Sequence, residues 1–393
     1  MSDLFPFAQD AKAEPPVWRE GEKLWMLTRY ADAQTLLRAP DAEVIEFQSQ
    51  IQTIAVKAGR NYDCLVGLLS GILFFRNPPW QKQARASLRR GLAAIGARMS
   101  DAEIAPIIDE AVASVSGAGD RSTDAVPTLA NRIPILVMAH LFGLSEATVE
   151  TLNRQGKGVV NAWKRAMPLR VYTALEDQAA EIDQALRSEI HRARQDGGPL
   201  SAFLDEMGGY DDREIVGLTF GLIMAGIETT SGLLSSVLYV MAAEPRHATA
   251  MRNGELSERG FVDEVLRMAP PLRRPSARRL AEDQQFGDVT LQAGSLVSVD
   301  IMTAQRDPAL FENPHDFDPS RSSTSLLAFG NGIHACLGVH LASLEGRLLL
   351  RAALKFELGL ALPDGVDWDP DPTFCRLRRL DLQLNPIQHR LPS

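Results

Sequence analysis

Phe329-Gly330-Asn331-Gly332-Ile333-His334-Ala335-Cys336-Leu337-Gly338 is the stretch on which the reading of this chain turns. One cysteine sits between glycines, immediately ahead of an apolar segment that predicts a helix to about Phe356. A helix N-terminus favours an anion, and backbone N–H groups near it can hydrogen-bond a sulfur, so Cys336 reads as a thiolate. Glycines on either side let the backbone come close to something flat and large. A plainer reading makes Cys336 a buried cysteine in a glycine-rich turn. A third takes His334 and Cys336 as zinc ligands. It fails on count, because no other Cys/His pair completes a four-ligand set.

Working back from the loop, residues 305–335 are rich in Pro, Asp and Gly and predict an irregular connection. Residues 272–300 alternate and carry Gly287 and Gly294, which predicts short strands and turns. Ahead of them a helix is predicted from about Glu258 to Met268, stopped by Pro270-Pro271. In it Glu264 and Arg267 are three residues apart, so they share a face and can pair. Glu189-Ile190-His191-Arg192 has the same spacing and reads as a solvated helix end.

Between Ile215 and Ala243 the only formal charge is Glu228. A membrane span needs ~20 mostly apolar residues. Here a carboxylate would lie at mid-bilayer, at a cost of several kcal/mol, and Asp211-Asp212 and Glu244-Pro245 are not basic anchors. A long helix through a large core is the expectation, with Asp211 or Asp212 as its cap. At its middle, Gly226-Ile227-Glu228-Thr229-Thr230 demands a reason, since Gly weakens a helix and buried polar groups need partners. Further upstream, Leu24 to Thr28 predicts a strand and Tyr30 to Arg38 a helix. Pro78-Pro79 opens a basic helix to about Ala97 with Arg85, Arg89 and Arg90 on it. Ser145 reads as an N-cap, and the amphipathic stretch Ala174–Arg194 is stopped by Gly197-Gly198-Pro199.

The 393 residues show no repeat and no linker-like composition, so one mainly helical domain over 1–393 with a minor β part is expected. The net charge of -9 and the absence of a basic tract argue against a nucleic-acid partner. Cys64, Cys336 and Cys375 are too few and too far apart for a disulfide framework and fit a reducing compartment. With no secretory or anchoring pattern visible, a soluble cytoplasmic protein is expected.

The decapeptide resembles the ligand loop of the cytochrome P450 family, Phe-Gly-x-Gly-x-His-x-Cys-x-Gly, at every fixed position. The resemblance implies the family's mainly α fold, with haem between a long oxygen-binding helix and the cysteine loop. It implies haem b with Cys336 as axial thiolate, a ligand that favours O–O cleavage. Phe329, Gly330 and Gly338 would belong to the haem-facing loop, and Arg278 and His334 to the propionates. The family's basic helix carries His-x-x-x-Arg; here Gln81 stands at the His position, and Arg85 is retained. Ala225 and Gly226 would form the oxygen pocket, with Glu228 and Thr229 delivering protons. Phe317-Asp-Pro-Ser-Arg321 matches the element that adds Arg321 to Glu264 and Arg267 in a buried structural network. Losing one member of such a network costs about 3–5 kcal/mol.

The implied activity is that of a bacterial-type monooxygenase. It inserts one atom of O2 into a lipophilic small molecule, with electrons from a separate ferredoxin and reductase, or a flavoprotein. Arg89, Arg90, Arg347 and Arg351 are candidates for docking that donor, whereas Ser343 stands where the family often has Arg. Substrate contacts are expected from residues 68–75, including Leu73 and Phe74. Residues 159–167, Leu222 and Phe374 are expected to add others, and Arg273 or Arg274 to hold a substrate carboxylate. The alternatives are a peroxide-driven peroxygenase and a non-catalytic haem sensor. The Glu228-Thr229 pair, which serves dioxygen activation in the family, argues against both.

Overall fold

The long apolar segment folds as one helix, Asp212–Ala243. A reciprocal capping box starts it: Asp211 Oδ1 accepts the Glu214 N–H at 2.8 Å, and Glu214 Oε2 accepts the Asp211 N–H at 3.1 Å. Its most apolar window is 78% buried, so its hydrophobicity is spent inside the protein. The next helix, Pro245–Arg252, begins on the proline expected to close it.

The structure is a computed structural model and describes residues 4–387 apart from 6–7, 9–10, 117–121, 164–166, 322–325 and 362–364. Two compact units alternate along the chain. One takes Met1–Ala42, Asp101–Pro134 and Thr229–Ser393; the other takes Glu43–Ser100 and Ile135–Glu228.

In the first unit, strands Val17–Arg19 and Leu24–Leu27 pair antiparallel. Leu24–Leu27 pairs parallel with Leu296–Val299, which pairs antiparallel with Arg278–Arg279. Their buried face joins helix Tyr30–Arg38 in a core of Leu27, Leu36, Leu37, Leu280, Val297 and Val299. Helices Glu258–Met268 and Val339–Ala353 approach so closely that a Cβ on Gly346 would lie 3.1 Å from Val262. The cysteine helix ends at Ala353, short of the expected Phe356, because Phe356–Leu360 pairs as a strand with Leu377–Pro386.

In the second unit, helix Trp80–Ala94 stops short of the expected Ala97, where Gly96–Arg98 tightens into a 3-10 turn. Helix Leu169–Asp196 runs for 28 residues and ends at Gly197, whose φ of 77° suits glycine. Ser145 caps helix Glu146–Thr151 as expected. Glu189, however, is not at a solvated helix end. It is buried, accepts hydrogen bonds from the Ser145 N–H (2.9 Å), the Ser145 hydroxyl and the Thr148 hydroxyl (2.7 Å), and pairs with Arg192. The reading from spacing is corrected by these partners more than forty residues upstream, which give the carboxylate a reason to be inside.

Candidate active site

The cysteine loop closes on itself. The Cys336 N–H donates to the Phe329 carbonyl at 2.8 Å, and the Gly330 N–H donates to that of Leu327 at 2.8 Å. Gly330 and Gly332 both have positive φ, 67° and 66°. A Cβ on Gly332 would lie 2.6 Å from the Leu37 carbonyl, so glycine is needed twice over, for conformation and for space. A short 3-10 turn, Gly332–His334, leaves His334 half-buried two residues before the cysteine. The Gly338 N–H, where the following helix begins, donates to Cys336 Sγ at 3.2 Å. Cys336 is exposed. Cys375 is buried, and burial pushes its thiol up to about 12. Cys64 is pushed up to about 11 by burial and then by Glu176. Among the described residues, Cys336 is the exposed cysteine and has a backbone donor on its sulfur, while Cys64 is half-buried and Cys375 buried.

Arg278 is buried beside this loop's support. Its guanidinium donates to the Leu36 and Leu37 carbonyls at 2.9 and 3.2 Å, at the C-terminal, negative end of helix Tyr30–Arg38. Burial pulls its pKa down to about 10, and no carboxylate pairs with it among the described residues. In the other unit, Gln81 is buried and Arg85 half-buried on helix Trp80–Ala94.

The structure brings Glu264, Arg267 and Arg321 together. Arg267 donates from Nε and Nη2 to the two Glu264 oxygens at 2.8 and 2.7 Å, and Arg321 Nε stands 3.4 Å from Oε1. Arg267 also reaches the Gln305, Pro314 and Asp316 carbonyls, and Arg321 those of Glu312 and Asn313. The pair therefore fastens the irregular segment leading to the cysteine loop.

Along the buried long helix, a short stretch is accessible. Ala225 is exposed, Leu222, Gly226 and Thr229 are half-buried, and Glu228 is buried at 8%. A Cβ on Gly226 would meet the flexible end of the Met138 side chain. Met138 lies on helix Arg132–Phe142, and Ala225, one residue before Gly226, is the exposed position.

Arg273 and Arg274 hold a carboxylate, and it is the chain's own. Arg273 grips Asp300 through Nε and Nη2, and Arg274 adds its Nε at 3.2 Å while reaching Glu22 at 3.4 Å. Two cations face two carboxylates, so the expected surplus of positive charge is absent from this cluster. Asp300 also accepts the Thr303 N–H at 3.1 Å as a helix cap. Burial would raise the Asp300 pKa; the Arg273 hydrogen bonds and the charges of both arginines override it and hold the carboxyl below its ordinary range. Phe374 is buried and bridges to Leu272, next to Arg273. Leu73 and Phe74 are half-buried in a 3-10 turn with Phe75. Residues 164–166 of the expected stretch 159–167 lie outside the described residues. Of the candidate docking arginines, Arg90 pairs with Glu206, and Arg351 with Glu258 and Asp101.

Asp300 and Glu189 were not singled out from the sequence as site or core groups. A carboxylate one residue before a short helix signals a cap, which Asp300 is, but nothing local signals its two arginines.

The family model described as cytochrome P450 matches residues 149–256 and 259–377. The cytochrome P450 monooxygenase PikC of Streptomyces venezuelae is 27% identical over 97% of this chain and 91% of its own length. The cyclomarin C epoxidase CymV of Salinispora arenicola is 28% identical over 98% of this chain and 92% of its own. Among solved structures, epothilone D-bound cytochrome P450epoK superposes with a TM-score of 0.81 at 23% identity, covering 98% of this chain and 99% of that one, a likeness of fold.

Proposed function

The chain belongs to the cytochrome P450 family, and from that premise we propose that Cys336 supplies the thiolate of a monooxygenase acting on a neutral, lipophilic small molecule. The family binds haem through a cysteine thiolate, and named relatives are monooxygenases, hydroxylases and an epoxidase. Monooxygenase chemistry inserts one atom of O2 into an organic substrate, and we assign the electrons for it to a separate redox partner.

The residues present suit that cofactor. The observation that carries the assignment is the Gly338 N–H aimed at the exposed Cys336 sulfur. Such a donor stabilises a thiolate and moderates its electron donation. Arg278, a buried cation without a carboxylate, has the charge that a haem propionate would balance. Ala225, open in the middle of a packed helix, leaves room for a small ligand.

Bound haem, held by Cys336, would supply the iron chemistry that activates dioxygen. Glu228 and Thr229 would then hold protons at a carboxylate oxygen and at Oγ1, within the helix and away from bulk water. Glu264, Arg267 and Arg321 keep the cysteine loop's approach in place. The apolar side chains Leu73, Phe74, Leu222 and Phe374 favour a lipophilic substrate. The balanced charges at Arg273, Arg274, Asp300 and Glu22 favour a neutral one. We assign both units, residues 1–393, to one catalytic activity in the cytoplasm, with a ferredoxin and its reductase as electron source.

The test is the absorbance of the reduced, CO-treated protein in Cys336→Ser and Cys375→Ser variants. Loss of the thiolate-type Soret band in the first and its retention in the second is expected. The reverse would move the ligand to Cys375.

A further inference from the structure

Three glycines in the second unit meet without a side chain between them. A Cβ on Gly71 would collide with the Gly217 carbonyl group. One on Gly217 would lie 2.6 Å from the Gly67 carbonyl, and one on Gly221 would lie 2.8 Å from the Gly71 carbonyl and 3.1 Å from the Ile72 Cα. The backbone of residues 67–72 thus lies directly on the backbone of the long helix, and none of these contacts has the far end of a flexible side chain to give way. Gly71 has an ordinary φ of -81°, so its identity is set by space and not by conformation.

The opposite end of the segment is held as well. Helix Asp63–Ser70 has its first N–H groups bound by Glu176 of helix Leu169–Asp196: Cys64 N donates at 3.0 Å and Leu65 N at 2.8 Å. A carboxylate at a helix N-terminus is favourable in charge as well as in hydrogen bonding. The segment is therefore pinned at both ends. It leaves the long helix at Gly221, four residues or about 6 Å before Ala225, the open position. Directly after the glycine contact come Leu73, Phe74 and Phe75. Phe75 is buried, and Phe74 packs edge-on against it at 5.2 Å while remaining half-buried.

We infer that the seat made by Gly71, Gly217 and Gly221 sets the height of Phe74 over the long helix and so fixes the size of substrate that reaches Ala225. This rests on the monooxygenase reading and deepens it: Gly71 and Gly221 act as specificity-determining positions that touch no substrate. A methyl group at either one forces two backbones apart, and the segment bearing Leu73 and Phe74 lifts from the helix. A change of one methylene in an apolar pocket alters discrimination by about tenfold or more, so a displaced phenyl ring is readable in binding alone.

The experiment uses the haem-loaded full chain and three iron-binding probes of increasing bulk: imidazole, 4-phenylimidazole and clotrimazole, each followed by the Soret shift. In Gly71→Ala and Gly221→Ala, the preference for clotrimazole over 4-phenylimidazole is expected to rise roughly tenfold, with imidazole unchanged. Gly208→Ala serves as the control, since a Cβ there meets nothing within 4 Å. Phe74→Ala leaves the seat intact and is expected to shift the preference in the same direction, which keeps the inference testable if the glycine variants lose haem. An unchanged ratio in a haem-replete Gly221→Ala protein, or in Phe74→Ala, overturns it. A wild-type protein that takes up no haem overturns the monooxygenase reading itself.

Discussion

Asp300 Oδ2 receives the Arg273 guanidinium through two nitrogens, Nε at 3.0 Å and Nη2 at 2.7 Å. The carboxylate side chain is 3% exposed and also faces Arg274, so its charge is sheltered from solvent and balanced within the protein. Truncating Asp300 to alanine leaves two guanidinium groups facing each other. The expected loss is about 3–5 kcal/mol, read as a drop in thermal stability. The double variant Asp300→Ala/Arg273→Leu should recover part of it, because neither charge is then stranded. A single variant as stable as the wild type would show that the cluster is solvated. The Asp300 pKa is depressed, so this contribution is present above its ordinary value of 3.8 and fades as pH falls through the lower folded value.

Thiol reactivity should separate the three cysteines in haem-free protein. Cys375 is held protonated by burial, with a pKa of about 12, and Cys64 by burial and Glu176, with a pKa of about 11. Cys336 is exposed. Iodoacetamide near neutral pH is expected to label Cys336 alone, as mapped by peptide mass spectrometry, and loading with haem should protect it. Labelling of Cys375 at a comparable rate would contradict the packing around it.

Glu345 offers a stability test at alkaline pH. It lies buried on the helix that follows the cysteine loop, its Oε2 has no hydrogen-bond partner among the described residues, and burial raises its pKa to about 8. The folded protein therefore keeps a proton that the unfolded chain releases above 4.5. Stability from this group is full below 4.5 and declines as pH rises toward 8, by at most about 1.4 kcal/mol per pH unit. Glu345→Gln should flatten that decline in urea titrations across the window. Parallel pH profiles for the two proteins would rule the effect out.

Replacing Glu189 by alanine removes acceptors from the Ser145 N–H and from both hydroxyls at the start of helix Glu146–Thr151. A loss of about 1–2 kcal/mol is expected, the scale of a lost helix cap. Hydrogen exchange should speed up in residues 145–151 before helix Leu169–Asp196 responds. Unaltered exchange there would show that Glu189 does not hold the start of that helix.

The parts of this molecule visible in its sequence are those where chemistry restricts residue type locally. Cys336 with its glycines is such a case, because positive φ at Gly330 and Gly332 and access to a sulfur all fall within one decapeptide. The end of helix Glu258–Met268 was visible because Pro270-Pro271 stops it, while its Ser257 cap shows only in the structure. Other features depend on partners far along the chain. Glu264-Arg267 and Glu189-Arg192 look alike in sequence, and both carboxylates turn out to be buried, each for the sake of backbone or hydroxyl donors elsewhere. Arg273 and Arg274 looked free because Asp300 is 27 and 26 residues away. The glycine seat was invisible because the space each glycine must leave is occupied by backbone about 150 residues distant, and glycine in a helix otherwise reads only as a weakness.

The support of the cysteine loop by helix Tyr30–Arg38 bears on how portable this active centre is. Gly332 rests on the Leu37 carbonyl, and Arg278 is held by those of Leu36 and Leu37. The motifs of the long helix, the Glu264-Arg267 helix and the cysteine loop all lie beyond residue 200, and the family model aligns from residue 149 onward. Yet the footing of the cysteine loop is laid by a stretch that carries no signature and lies about 300 residues upstream of it. Chimaeras that graft the motif-bearing C-terminal part onto a foreign N-terminal part would inherit the cysteine loop without its footing. Such an exchange has to carry the unremarkable helix along with the cysteine.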